Sequence, residues 1–204
     1  AHELAHQWFG DFTTTAEWAH AWINEGLTTY MESVHEEQSR GREAAEWNWM
    51  GQQQQAMAAD LNQERPLVFG AQPGTDPIQI FFSGHVYPKG AQLAHQLRRL
   101  VGDSLFWKGM KRFLTDNGYK PVETKDYAIA MEKTTGRDLD WFFDCLDTVK
   151  ACPAEGCKKK LFLAAILVHL NDDHLWTRDQ IADWLEKNGN GSRPAEAVPA
   201  GTGR

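Results

Sequence analysis

The chain opens with AHELAHQWFGD, residues 1–11, in which His2, Glu3 and His6 spell H-E-x-x-H. On a helix, residues four apart stack on one face, so this spacing brings two imidazoles toward one point with Glu3 on the same turn. The pattern predicts a helix over 2–8 and a zinc ion held by His2 and His6. Two neutral imidazoles and one carboxylate leave zinc a fourth position for water, and lower that water's pKa from about 9 to about 7. Glu3 can then take the proton. The third ligand must come from another element, and Glu25, with eighteen residues between it and His6, is well placed on the next helix.

The rest of the chain reads mostly as helix. A second helix is expected over 25–38 with Asn24 as its cap, and a third over 42–61, where Ala, Glu, Gln and Met are good helix formers. Pro66, Gly70, Pro73, Gly74, Pro77 and Gly84 then break the pattern, so 62–85 reads as an irregular loop, long enough to be functional. Helices follow over 89–101 and 104–114, the latter with Phe106, Met110, Phe113 and Leu114 on one face. Thr124 reads as the cap of a helix over 124–135 that stops at Gly136, and 139–145 as one more short helix. No run alternates with strand period for long, so at most a short strand or two is expected. The class is mainly α.

These motifs carry a resemblance. HELAHQWFGD at 2–11, WAHAWINEG at 18–26 and VYPKGA at 86–91, with LVGDSLFWKGMKRFL at 100–114 and TTGRDLDWFFD at 134–144, together resemble the gluzincin aminopeptidases, the aminopeptidase N and leukotriene hydrolase group. The resemblance implies the helical lobe of a thermolysin-like zinc peptidase over residues 1–144, acting on peptides with a free N-terminus. It implies His2, His6 and Glu25 as zinc ligands, Glu3 as general base and Tyr87 as the donor to the developing oxyanion. A phenol in that role makes chemical sense, since losing such a donor costs about 2.7–4 kcal/mol of transition-state stabilisation.

The family's G-x-M-E-N motif, which fixes the substrate's free amine, is not in this sequence. Position 1 is Ala, and no basic segment with an apolar stretch and cleavage site is present, so the natural N-terminus is expected upstream, with His2 in a fraying first turn. His20 and His85 read as packing or hydrogen-bonding residues, and Trp8, Trp18, Trp22 and Trp141 as core aromatics.

After Phe143 the resemblance ends. Cys152, Cys157, His169 and His174 form C-x4-C-x11-H-x4-H, close to the spacing of two-cysteine, two-histidine fingers, so residues 145–187 read as a small helical module with a candidate second, structural zinc. Three cysteines within one short window, Cys145 included, argue for metal or free thiols rather than a disulfide framework. Thr177 and Gln180 make a capping box for a helix over 178–187, and the tail from 188 onward, almost without bulky apolar residues, reads as disordered.

Composition bounds the rest. The 204 residues, 42% hydrophobic and 24% charged with nine Trp and ten Phe, suffice for a buried core. The longest apolar run, 161–168, is eight residues against the roughly 18 a membrane span needs, so no membrane partner is expected. Nothing assigns a compartment. Residues 145–204 carry eight basic and eight acidic side chains, which leaves the whole net charge of -7 in 1–144 and argues against nonspecific nucleic-acid binding there. Two readings compete: a truncated zinc aminopeptidase, or an inactive peptidase lobe whose C-terminal module binds nucleic acid or protein.

Overall fold

A computed structural model describes residues 1–63, 65–69, 76–81 and 84–147. The Cys152, Cys157, His169 and His174 quartet, the helix expected over 178–187 and the tail lie outside the described residues. Among those described, the chain runs α1 (His2–Ala5), β1 (Thr14–Thr15), a 3-10 turn (Trp18–His20), α2 (Trp22–Arg40), α3 (Arg42–Asn62), α4 (Pro77–Phe81), a π-helical turn (His85–Lys89), α5 (Gly90–Val101), α6 (Asp103–Asn117), β2 (Pro121–Val122), α7 (Thr124–Thr135) and α8 (Asp140–Asp147). The fold is mainly α, as expected.

The organising element is α2. Trp22, Ile23, Gly26, Leu27, Tyr30, Ser33 and Val34 are buried along it, a three-and-four spacing that makes one continuous apolar stripe. The stripe packs against α3 and α5, and α5 in turn meets α6, whose Phe106, Met110 and Phe113 are buried. The pair α6 and α7 closes the far side around Tyr127 and Met131, with Phe142 of α8 packed in the same core. Burying each such large apolar side chain contributes about 1.5–3 kcal/mol. The sheet is minimal: β1 and β2 pair in parallel, Thr14 with Pro121 and Thr15 with Val122.

Several boundaries differ from expectation for physical reasons. The first helix closes at Ala5 rather than residue 8, because Gln7 and Trp8 donate back to Leu4 and Ala5 in the tighter three-residue pattern. Trp8 therefore falls outside the helical period and is 50% exposed, and Trp18 is 57% exposed, its ring edge-on against Phe81. Neither is a core aromatic; Trp22, fully buried, is.

The second helix starts at Trp22, and Asn24 lies inside its first turn rather than capping it. The preceding 3-10 turn delivers Ala21 already in the helical conformation, so no extended cap residue intervenes. In α7 the capping box is made by Glu123 and Asp126, not by Thr124. The Thr124 hydroxyl is engaged elsewhere: it accepts from the Trp22 indole at 2.9 Å and lies 3.0 Å from His20 Nδ1, tying α7 to the start of α2. Part of the expected loop is ordered as α4, and Arg65 donates to the carbonyls of Gln79 and Ile80 to hold it.

Candidate active site

The short helix α1 lies against the first turns of α2, which sets His2 and His6 opposite Glu25. Their ligating atoms all fall within 4.8 Å of one another. His2 Nε2 and His6 Nε2 are each 3.4 Å from Glu25 Oε2. All three side chains are about a fifth exposed, so the cluster is reachable from solvent yet walled by protein.

The outer nitrogens fix what the inner ones present. His6 Nδ1 lies 3.0 Å from the Phe9 carbonyl oxygen, which can only accept, so Nδ1 carries the proton. His2 Nδ1 lies 2.7 Å from Glu32 Oε1 and donates to it by the same logic. In the neutral imidazole both Nε2 atoms are then bare lone pairs facing a carboxylate oxygen. Acceptors facing acceptors at that distance need a cation between them, a proton or a metal ion.

Glu32 is a residue that motif reading missed. It lies seven positions beyond Glu25, two turns along the same face of α2, and that spacing was the available signal. Its carboxylate reaches across to the first residue of α1, so His2 is held by a tertiary bond rather than left in a fraying turn.

Tyr87 enters from the π-helical turn. Its ring stacks near that of His2, with centroids 6.2 Å apart and planes 23° from parallel. Burial pushes the Tyr87 phenol up, and the adjacent Glu25 and Glu3 carboxylates push it further, which keeps its proton in place. Glu3 itself is exposed.

Two glycines allow this convergence. A Cβ on Gly26 would meet the Cα of Gly90 at 2.7 Å, and one on Gly90 would meet the Cα of Gly26 at 2.9 Å. The backbones of α2 and α5 therefore touch one residue after Glu25 and three after Tyr87, a crossing that only glycine permits.

A second acidic group among the described residues, Glu132, Asp138 and Asp140, is different in kind. Glu132 already accepts from the Leu139 amide at 2.8 Å and Asp138 from the Asp140 amide at 2.9 Å, so these carboxylates shape the entry to α8.

Comparison with known proteins places the chain. Residues 1–146 match the Peptidase family M1 domain. The chain belongs to peptidase family M1. Among M1 relatives, aminopeptidase N of Streptomyces lividans is 32% identical over 142 residues, 68% of this chain and 16% of that protein. Aminopeptidase N of Lactococcus lactis subsp. lactis is 33% identical over 151 residues, 71% of this chain and 17% of that protein. The M1 zinc metallopeptidase of Deinococcus radiodurans superposes with a TM-score of 0.57 at 29% identity, covering 72% of this chain and 32% of that one. A mutant of it, bound to a Tyr-Ser-Ala substrate, gives 0.59 at 28% identity, with the same coverage of both chains. This M1 chain thus spans about a sixth of the length of the curated relatives and about a third of the solved structure.

Proposed function

We propose that residues 1–144 are the zinc-binding part of an M1 aminopeptidase, with His2, His6 and Glu25 holding the ion. The observation that carries this is the 3.4 Å separation of each histidine Nε2 from Glu25 Oε2. Two ligands about 2.1 Å from a tetrahedral zinc are about 3.4 Å apart, so the donor set fits the ion in chemistry and in spacing. The outer hydrogen bonds fit as well, since a zinc-ligating histidine almost always donates its other N–H to a carboxylate or a backbone carbonyl. Here Glu32 and the Phe9 carbonyl accept them.

When bound, zinc supplies Lewis acidity to the scissile carbonyl and to a water molecule. The protein's own groups do the rest. Glu3, exposed on the same turn as His2, accepts the proton of the attacking water and passes it toward the leaving amine. Tyr87, its phenol kept protonated by burial and by its anionic neighbours, donates a hydrogen bond to the oxygen on which charge develops. The relatives' name and the tripeptide in the Deinococcus complex support peptides with a free N-terminus as substrates.

Glu3→Gln tests the reading. The expected result is a loss of peptide hydrolysis on the order of 10²- to 10⁴-fold with zinc content unchanged. Hydrolysis that survives the substitution would sink the role of Glu3. We propose separately that the Cys152, Cys157, His169 and His174 spacing is a structural zinc site in a module of its own. Loss of one zinc per chain in Cys152→Ser is expected, and unchanged zinc would refute it.

A further inference from the structure

The π-helical turn that carries Tyr87 is held by charged groups that the proposed chemistry does not use. Asp60, in the last turn of α3, accepts from Lys89 Nζ at 2.8 and 3.0 Å. The same ammonium also donates to the Arg65 carbonyl at 3.1 Å. His85, fully buried, brings Nε2 to 3.1 Å from Asp60 Oδ1. One carboxylate therefore holds the last residue, and lies against the first, of a five-residue turn whose middle residue is Tyr87.

The stability such a contact adds is small. Asp60 is 33% exposed and Lys89 24%, and ion pairs at that exposure add little to stability. Its effect on geometry is larger in consequence. A π-helical turn is rare because its wide ring is a poorer solution than the α-helix, and it persists where surrounding contacts over-determine it. Arg65 adds to the hold, since its guanidinium fixes α4 while its carbonyl receives Lys89.

We propose that Asp60, acting through Lys89 and His85, is a positioning residue that sets the Tyr87 hydroxyl against Glu25 and His2. The inference rests on the reading of Tyr87 as the oxyanion donor. Because a misplacement of about 1 Å can cost up to about 100-fold, loosening the turn is expected to lower kcat roughly tenfold or more while KM stays within about twofold.

The experiment is a double-mutant cycle with a second readout that needs no turnover. Asp60→Asn and Lys89→Met are each made in the wild-type chain and in a Tyr87→Phe background, and kcat and KM are measured with a peptide substrate. The expected result is a fall in kcat that disappears in the Tyr87→Phe background. An additive loss overturns the inference. In parallel the chain is labelled with 3-fluorotyrosine, and the ¹⁹F resonance lost in Tyr87→Phe is assigned to Tyr87. That resonance is expected to shift or broaden in both variants while those of the core residues Tyr30 and Tyr127 stay in place. A Tyr87 resonance that does not respond overturns the positioning role whatever the kinetics. An unchanged kcat in Tyr87→Phe alone overturns instead the reading of Tyr87 as donor, and the resonance still decides the clamp.

Discussion

Two clusters of charged side chains lie on α2, one at each end, and they differ in whether their hydrogen bonds are used up. At the C-terminal end Arg98 of α5 spends all five donors: Nε on Asp103, Nη1 on Tyr30 and Glu37, and Nη2 on Glu37 and Asp103, at 2.6–3.2 Å. Burial alone would lower the Arg98 pKa, but the hydrogen bonds it donates to Asp103 and Glu37 outweigh that and hold the guanidinium charged. That cluster pins α2, α5 and α6 together, and its guanidinium has no donor left for a ligand. At the N-terminal end, His2, His6 and Glu25 turn acceptors toward one another, and their only donors are spent outward on Glu32 and Phe9. A saturated cluster is architecture. An arrangement that leaves lone pairs converging is a candidate site.

The comparison makes graded predictions. The largest effect separates two phenols, Tyr30 fully buried and Tyr87 partly so, both pushed up chiefly by burial. Tyr87→Phe should lower kcat on the order of 10²- to 10³-fold with little change in melting temperature. Tyr30→Phe should do the reverse, costing stability at the Arg98 cluster and leaving turnover nearly intact. Turnover and thermal melts on the two variants check this, and the opposite pattern would dissolve the distinction.

Next, Arg98→Met leaves Glu37 and Asp103 without their partner. Both carboxylates can still reach water, so the cost should be about 2–3 kcal/mol in chemical denaturation, with zinc affinity unchanged. Glu32→Gln should be milder for the fold and act on the site: zinc affinity falls about 10- to 100-fold, measured by chelator competition. An unaltered affinity would reduce Glu32 to a bystander.

The smallest effect is acid dependence at the clamp. Burial pushes the Asp60 carboxyl up, but hydrogen bonds from His85 and Lys89 outweigh it and leave the group below its ordinary value of 3.8. A depressed folded pKa means that its stabilisation is fully present above that value and is lost as pH falls through the lower, folded one. The stability advantage of wild type over Asp60→Asn should therefore be fully present at about pH 5 and shrink as pH falls below that, in urea melts across that range. A gap that widens on acidification would contradict the assignment.

Much of the candidate site is legible in the sequence because its chemistry is written in local spacing. His2 and His6 four apart, and Glu25 on the next predicted helix, required no knowledge of packing, and the mainly helical class followed from periodicity. What escaped reading depends on tertiary partners. Thr124 looks like a cap, but Trp22 and His20 claim its hydroxyl, so Glu123 caps instead. Glu32 matters only because α1 lies over α2. Trp8 and Trp18 read as core aromatics, but aromatic content says nothing about which way a residue outside a periodic segment faces, and both are exposed. The π-helical turn carries Pro88 inside it and is held by Asp60 from twenty-five positions earlier, a contact that no window of sequence contains.

The most direct test of the central claim is zinc per chain by native mass spectrometry on a Cys152→Ser, Cys157→Ser double variant, which removes the other candidate site. The account predicts one zinc, lost when Glu25→Gln is added. A double variant that takes up no zinc would contradict it, and the convergence of His2, His6 and Glu25 would then be a cluster held by protons alone.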